Sequence, residues 1–230
     1  MSQLESQNID FSMLLASAAH DMKNSLSMFL ATLDRLDEVG QGSGAEISSY
    51  CSLLRGEASR INNDLIYLLS LYRLQNKQLV ATIDEVYLPD FLEEQRLRHQ
   101  VLIRAAGVSL NIKVNDDVFG YFDAELISGV LNNAIVNAAK YTHNVITMSV
   151  RQEQQGIVID VEDDGEGFPA TMIHENNDYQ RGVSFKSGST NLGLFFCNHI
   201  AALHASGGRQ GQVELLNSEA GGGIFRLRLP

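Results

Sequence analysis

The stretch Leu131-Asn-Asn-Ala-Ile-Val-Asn-Ala-Ala-Lys-Tyr-Thr142 places three asparagines in a largely apolar helical pattern. Asn133 and Asn137 are four residues apart, so they share one helix face, and Lys140 and Tyr141 follow at its end. Asparagine is a mediocre helix former, so two amides on one face need an explanation. They could offer oxygens to Mg²⁺ beside an ammonium for phosphate, or they could be ordinary capping and surface amides.

Two glycine-containing stretches follow. Val161-Glu-Asp-Asp-Gly-Glu-Gly-Phe168 ends an apolar strand, and the carboxylate of Asp163 could accept a hydrogen bond from an exocyclic amine such as that of adenine. Gly165 and Gly167 would let the backbone approach a ligand, although such a stretch is as often a plain acidic turn. Gly188-Ser-Thr-Asn-Leu-Gly-Leu194 opens an apolar helix, whose N-terminal N–H groups can bind phosphate.

A histidine lies near the start of the chain, in Ala16-Ser-Ala-Ala-His-Asp-Met-Lys-Asn-Ser-Leu26. The apolar seam passes through Ala18 and Met22, and His20 lies about 160–200° away from each on a helix. Taken alone, such a histidine is most often a surface or packing residue. Because Asp21 can orient its imidazole and Asn24 shares the exposed face, a nucleophile for phosphoryl transfer is the alternative.

Apolar residues at steps of three and four predict two long helices on either side of the Gly40–Gly44 turn. The seam of the second helix is formed by Ile47, Cys51, Leu54, Ala58, Ile61, Leu65, Leu68 and Tyr72. One hairpin leaves apolar residues beside its seam uncovered. We therefore expect a homodimer in which two hairpins form a four-helix bundle.

The remainder of the chain mixes helices and strands without a βαβ rhythm. Its patterns predict strands at 79–83, 108–114, 145–152, 156–161, 213–216 and 224–229, and helices at 89–106, 123–141 and 192–204. Residues 165–189 read as a loop. The expected fold class is α+β: the helical hairpin, then a sandwich with helices on one face of a mixed sheet.

Composition narrows the function. The 230 residues carry a formal net charge of -11, which disfavours a nucleic-acid partner. Two cysteines, Cys51 and Cys197, form no metal motif and fit a reducing cytoplasm. The polar N-terminus is not a signal peptide, and no apolar run is long enough for a membrane span, so we expect a soluble cytoplasmic protein.

The four motifs, in this order and spacing, resemble the conserved core of the two-component sensor histidine kinases over nearly the whole chain. The closing stretch Gly221–Pro230 resembles the last glycine box of that family. The resemblance implies a dimerisation and phosphotransfer hairpin over residues 1–76 and a Bergerat-type ATP-binding domain over residues 77–230. Asn191 and Ser189 replace glycines of the family pattern, Ile224 replaces a threonine, and Ser25 stands where many members have proline.

The resemblance also implies residue roles. His20 would be phosphorylated, Asp21 would be the acid/base that activates it, and Asn24 would orient water for dephosphorylation of a partner regulator. ATP and Mg²⁺ would be the cofactors, with Asn137 as the metal ligand. The implied nucleotide contacts are Asn133, Asn137, Lys140, Tyr141, Asp163, Gly165, Gly167, Gly188, Leu192 and Gly193.

The expected partners are a second copy of the chain, the receiver domain of a response regulator and a separate sensor protein. Two other classes stay open. A histidine phosphotransfer protein with a degenerate ATP domain would relay phosphate without ATP, which the replacement at Asn191 allows. Another ATPase of the Bergerat superfamily, such as a serine kinase acting on an anti-sigma antagonist, would not need the exposed His20-Asp21 pair.

Overall fold

The computed structural model describes residues 22, 24–29, 31, 32, 35, 36, 44–76, 78–154, 156–180, 192–219 and 221–230. His20, Asp21 and Gly188, which are expected to be site residues, lie outside the described residues, as does the predicted turn at residues 40–43. Contacts between Cα atoms divide the chain into two compact units, the first comprising Met1–Leu79 and Lys186–Gly193 and the second Val80–Phe185 and Leu194–Pro230.

The first unit is helical where it is described. Helix α1 is Gly44–Gln75, and the described residues between 22 and 36 are also helical. The seam prediction is wrong in detail for the end of α1, because Tyr67 and Leu71 are buried whereas Leu65 and Tyr72 are about half exposed. The pair Tyr67 and Leu71 is also spaced by four residues, so the helical period is right and the buried face is rotated.

The second unit contains a two-stranded ribbon and a five-stranded sheet. Its elements in chain order are β1 Asp84–Tyr87, α2 Leu88–Arg98, α3 Gln100–Ala106, β2 Ser109–Lys113, β3 Phe119–Phe122, α4 Ala124–Tyr141, β4 Val145–Glu153, β5 Gly156–Asp163, α5 Ala170–Gln180, α6 Leu192–Leu203, β6 Ala205–Ser206, β7 Arg209–Gln210, β8 Gln212–Asn217 and β9 Gly223–Leu229. The large sheet has the order β2-β4-β5-β9-β8, in which only the β2–β4 pair is parallel. The short strands pair as β1–β3 and β6–β7.

One face of the large sheet forms the core. Side chains from neighbouring strands meet there in register, as in the Ile159–Leu227 and Met148–Val161 pairs, and all four are buried. Helix α4 contributes a buried face of Ile127, Val130, Leu131, Ala134, Ile135 and Ala138. Burial of a large apolar side chain stabilises a fold by about 1.5–3 kcal/mol, so this layer dominates the stability of the unit. The predicted sandwich is therefore present.

The other face of the sheet carries cross-strand ion pairs. Asp160 on β5 accepts hydrogen bonds from Arg151 on β4 at 2.6 Å and from Arg226 on β9 at 2.9 Å. Arg228 bridges Glu214 and Glu153 at 2.9 and 3.0 Å. Together these ion pairs join β4 to β5, β5 to β9 and β9 to β8. They therefore favour the observed register between neighbouring strands.

Four sequence expectations need correction. Residues 79–83 form no strand, because the strand that pairs with Phe119–Phe122 begins at Asp84. The strand Phe119–Phe122 was not expected, because glycine inside a short run does not favour a strand. The structure requires glycine at position 120, where a Cβ atom would lie 2.6 Å from Ile157 Cδ1. Residues 170–180 are helical rather than loop, following Pro169, and the hairpin at residues 205–210 was also missed.

The other predicted elements are present with small boundary shifts. The helix expected at 89–106 is interrupted at His99, and Gly107 ends its second part with φ 71°. Among the helices of the described ranges, none is both long and apolar enough to cross a membrane.

Candidate functional site

The carboxylate of Asp163, at the end of β5, is buried and oriented by backbone donors. Its Oδ1 accepts hydrogen bonds from the N–H of Gly165 at 2.9 Å and from the N–H of Gly223 at 3.2 Å. Among the described residues, no donor reaches Oδ2. One oxygen is therefore held by the protein, and the other is left for a ligand that offers a hydrogen bond.

Gly165 and Gly167 allow backbone approaches that a larger residue would prevent. A Cβ atom on Gly165 would overlap the carbonyl oxygen of Tyr141. Gly167 has φ +81°, a left-handed conformation, and its Cβ atom would lie 2.7 Å from Asn217 Oδ1. The turn after Asp163 is therefore packed against the end of α4 on one side and against β8 on the other.

Asn217 at the end of β8 holds this turn through the next residue. Its Oδ1 accepts from the N–H of Phe168 at 2.7 Å, and its Nδ2 donates to the carbonyl oxygen of Phe168 at 3.0 Å. The donor and the acceptor of the Asn217 amide are thus both bonded to the backbone of Phe168. They fix the exit of the chain from Gly167.

The closing glycines also belong to this site. Gly222 has φ +87°, and a Cβ atom there would overlap the carbonyl oxygen of Asp163. A Cβ atom on Gly223 would lie 2.9 Å from Asp163 Oδ2. The start of β9 therefore passes directly beside the candidate ligand-binding carboxylate, as only glycine permits.

Asn133 and Asn137 of α4 are neighbours, as their spacing predicts. Asn137 Nδ2 donates to Asn133 Oδ1 at 3.2 Å, and Asn137 is exposed. This bond uses only the Nδ2 group of Asn137, so the Oδ1 atom of Asn137 takes no part in it. Lys140 Nζ lies 5.1 Å from the centre of the Tyr141 ring, and both side chains are exposed at the end of the helix.

Asp164 joins the end of α4 to the end of β5. Its Oδ1 accepts from the Thr142 hydroxyl at 2.5 Å and from the N–H groups of His143, Asn144 and Val145 at 2.9–3.1 Å. The backbone N–H of Asn144 and the Thr142 hydroxyl hold the pKa of this carboxyl far below its ordinary value. Asp164 is therefore ionised and occupied by the protein, unlike its neighbour Asp163.

The start of α4 is fixed by two further contacts. Asp123 caps the helix by accepting from the N–H of Leu126 at 3.0 Å. The N–H of Asp123 donates to His204 Nε2 at 3.1 Å, and His204 Nδ1 pairs with the carbonyl oxygen of Ile200 at 2.8 Å. A carbonyl oxygen only accepts, so Nδ1 of His204 carries a hydrogen. Because Nε2 accepts from Asp123 and therefore carries none, the imidazole is neutral.

Helix α6 begins at Leu192, which is buried, and Gly193, which is half-buried. Asn198 anchors the helix by donating to Asn176 Oδ1 at 2.8 Å, and Asn176 donates to the carbonyl oxygen of Val213 at 2.9 Å. The second turn of α6 is therefore held to α5 and, through Asn176, to β8. Asn24, in the first unit, is an exposed helical residue.

The described residues contain no cluster of three or more His, Cys, Asp or Glu side chains that could hold a metal ion. Mg²⁺ in nucleotide sites is commonly held by one or two protein oxygens together with substrate phosphates and water. The amide oxygen of Asn137 fits that kind of site. The available Oδ2 of Asp163 and the glycine turns beside it fit the amine edge of a purine.

The structure thus brings Asp163, Gly165, Gly167 and the end of α4 together through short contacts. Sequence reasoning missed the supporting roles of Thr142, Asp164, Asn217, Asn176, Asn198 and His204. Gly222 and Gly223 belong to the closing stretch that resembles the last glycine box. A single asparagine in a strand or a buried helix gives no comparable sequence signal.

These features coincide with the match to a family model. Residues 122–230 match the model described as histidine kinase-, DNA gyrase B- and HSP90-like ATPase. The match covers the end of β3 and every later element of the described sheet, including Asp163 and both glycine turns. This segment is therefore similar to an ATP-binding domain of that class.

Characterised relatives are sensor kinases. The chain is 28% identical over 94% of its length to the adaptive-response sensory kinase SasA of Crocosphaera subtropica, covering 58% of that protein. It is 23% identical over 94% of its length to the sensor histidine kinase RppB of Synechocystis, covering 48% of it. The chain thus spans about half the length of these relatives.

The fold is also similar to solved kinases. The histidine kinase AdeS of Acinetobacter baumannii matches with a TM-score of 0.66 at 19% identity, over 91% of this chain and 96% of that one. The histidine kinase ThkA, solved in complex with the response regulator protein TrrA, matches with a TM-score of 0.66 at 18% identity, over 98% and 64%. The comparisons therefore support the ATP-binding catalytic domain of a histidine kinase.

Proposed function

We propose that this protein is a histidine kinase that autophosphorylates His20 from Mg·ATP and passes the phosphoryl group to an aspartate of a response regulator. The observation that carries the proposal is the state of Asp163. One carboxylate oxygen is fixed by Gly165 and Gly223, and the other is left for a donor, beside turns where a Cβ atom would intrude. Such a site fits the adenine amine.

The proposed nucleotide contacts use residues of α4, of β5 and of the start of α6. Asp163 Oδ2 accepts from the exocyclic amine, and the amide oxygen of Asn137 is offered to Mg²⁺, with Asn133 holding the Asn137 side chain. Lys140 leaves the Tyr141 ring to meet phosphate. Backbone N–H groups at the start of α6, at Leu192 and Gly193, complete the phosphate contacts with Gly188.

The chemistry is a phosphoryl transfer between nitrogen and oxygen. An imidazole nitrogen of His20 forms a bond to the γ-phosphorus while the bond from that phosphorus to the ADP oxygen breaks. Asp21 accepts the imidazole proton, and groups at the end of α4 and at the start of α6 neutralise charge on the phosphate oxygens. The phosphoryl group then moves to a carboxylate of the receiver, and Asn24 orients water for its removal.

The partner proposals have separate supports. The similarity to ThkA, solved with a response regulator, supports a receiver domain as the phosphate acceptor. A second copy of the chain is supported by a stripe on α1 at helical spacing, Leu65, Leu69 and Tyr72, in which each side chain is about half exposed. Input from a separate sensor and a cytoplasmic location complete the proposal.

Incubation with γ-labelled Mg·ATP tests the proposal. The wild-type chain is expected to acquire acid-labile, base-stable label, and His20→Gln and Asp163→Ala are each expected to lose it. Glu162→Gln, beside Asp163 but on the exposed face of β5, is the matched control and should keep the label. Label that survives in His20→Gln would refute the assignment of the phosphorylated residue.

Two other outcomes would identify the alternatives. An unlabelled wild-type chain that accepts phosphate from a phosphorylated regulator would be a histidine phosphotransfer protein with a degenerate ATP domain. Label on serine of a partner protein would identify another ATPase of the same superfamily. Asp163, with one oxygen still available, favours the kinase.

A further inference from the structure

The ribbon of β1 and β3 presents an aromatic face to solvent. The strand register pairs Tyr87 with Phe119 and Glu85 with Tyr121, and residues two apart on a strand point the same way, so these four share one face. Phe119 is 45% exposed and Tyr121 is 61% exposed. The rings of Tyr87 and Phe119 lie 5.1 Å apart. The opposite face of the ribbon is anchored by Phe122, which is fully buried.

Carboxylates border this face. Glu85 Oε1 accepts the hydroxyl of Tyr121 at 2.6 Å. Partial desolvation raises the pKa of the Tyr87 phenol, and the negative charges of Asp116, Asp90 and Asp117 raise it further. These three aspartates are exposed and lie within electrostatic reach of the ring. Within the described part of the chain, none of these four carboxylates forms an ion pair.

A cavity adjoins the same face. It has a volume of about 590 Å³ and opens to solvent, and it is lined by Val114, Asn115, Asp116, Asp117, Val118 and Gln152. Val118 directly precedes Phe119, so the cavity lies next to the start of β3. Two of the bordering carboxylates therefore also form its wall.

From this juxtaposition we propose that the Tyr87–Phe119–Tyr121 face is a docking surface for a positively charged segment of a partner protein. Arginine or lysine side chains of that segment stack on the exposed rings and pair with the bordering carboxylates, and one of them enters the cavity. Charge complementarity decides the occupant. Electron-rich ring faces attract cations, guanidinium groups suit both rings and carboxylates, and the chain as a whole carries a charge of -11.

The shape of the surface favours a protein segment over a small cation. Small ligands are usually enclosed by pockets that bury most of their surface, whereas this face is open. Two strands of four residues span roughly 13 Å at about 3.3 Å per residue, which is room for several side chains of an extended peptide. Phe119 and Tyr121 supply the aromatic anchors that dominate such interfaces.

Binding of a defined peptide to the full chain tests this surface. The probe is a fluorescein-labelled octapeptide of alternating arginine and leucine, followed by fluorescence anisotropy, and a glutamate–leucine peptide is the negative control. Saturable binding of the basic peptide is expected, and added salt should weaken it. Tyr121→Ser and the double variant Asp116→Asn/Asp117→Asn are each expected to weaken it about tenfold.

The double variant Glu125→Gln/Glu162→Gln controls for net charge. It also removes two exposed carboxylates, but neither lies on the ribbon, so it should bind the peptide like the wild type. Equal loss in this control and in Asp116→Asn/Asp117→Asn would refute the surface, as would the absence of saturable binding. Free arginine amide that binds as tightly as the peptide would show a small-cation site and refute the protein partner. Circular dichroism verifies the fold of each variant.

Discussion

Asp164 accepts a hydrogen bond from the Thr142 hydroxyl at 2.5 Å, and this contact joins the C-cap residue of α4 to the residue that follows β5. Asp163 and Asp164 are adjacent, yet they have opposite surroundings. The Oδ1 atom of Asp164 is surrounded by protein donors, while Asp163 keeps one oxygen for a ligand. Of two neighbouring carboxylates, one is therefore part of the scaffold and the other is the proposed ligand contact.

Asp164→Asn is expected to lower the thermal stability of the second unit and to weaken ATP binding with no change in Asp163 itself. The amide carries no charge to attract the backbone N–H groups, so the end of α4 loosens relative to β5. The folded-state pKa is depressed, so the carboxylate stabilises the fold above its ordinary pKa of 3.8 and this stabilisation is lost as the pH falls below that value. Thermal unfolding from neutral to acid pH should show the difference between the two proteins shrinking at acid pH.

Asn217→Ala is expected to raise the Kd for ATP about tenfold, because two hydrogen bonds that hold Phe168 are lost. Asn217→Asp keeps an acceptor for the Phe168 N–H but cannot donate to its carbonyl, so it should fall between the wild type and alanine. Gln212→Ala, at the other end of β8, is the control. Isothermal titration with ATP measures all three, and an unchanged Kd in Asn217→Ala would show that the turn does not need this clamp.

The unfolding free energy is expected to decrease as the pH falls below about 6.5, the ordinary histidine pKa. Burial lowers the pKa of His204, and the Ile200 carbonyl and Asp123 only partly oppose it. The unfolded chain therefore binds more protons below that pH, and the neutral imidazole that accepts from Asp123 N–H is lost. Urea unfolding between pH 5 and 8 checks the slope.

His204→Gln should reduce that slope and destabilise the protein by about 1–3 kcal/mol at neutral pH, since buried hydrogen bonds are lost. Burial also lowers the pKa of His199, so part of the slope remains in this variant. His143→Gln, at an exposed residue, is the control and should leave the slope unchanged. A full slope in His204→Gln would contradict the assigned role.

Leu65→Glu/Leu69→Glu is expected to convert a dimer into a monomer, because both leucines are about half exposed on one face of α1. Light scattering after size-exclusion chromatography measures the mass. Leu102→Glu, an exposed leucine of α3 in the second unit, is the control. A wild-type chain that is monomeric at high concentration would refute the proposed bundle.

The sequence predicted the elements whose pattern reflects burial on one side. The i, i+4 spacing of Asn133 and Asn137 placed them together, and the runs in β4, β5 and β9 place apolar residues at every second position because the core face recurs with that period. The helix at residues 170–180 was missed because its sequence is mainly polar. The strand Phe119–Phe122 was missed because its glycine is required by packing against Ile157, a contact distant in sequence.

The supporting contacts of the site could not be predicted for a related reason. Asn217 and Phe168 are 49 residues apart, and Asp163 and Gly223 are 60 residues apart. Such pairs meet only once the sheet order β5-β9-β8 is known. The helix seam was displaced because periodicity fixes the spacing of apolar residues but not which of two overlapping stripes is buried within one chain.

Strand β9 lies between β5 and β8 in the sheet and follows both of them in the chain. Until Gly223–Leu229 has left the ribosome, β5 and β8 are two separated edges, and the Gly223 N–H that orients Asp163 does not exist. A nascent chain therefore cannot hold nucleotide in the proposed way at any earlier stage. Synthesis of β9 becomes the event that switches on the proposed site, so products truncated before Gly223 would be inert toward ATP rather than unregulated kinases.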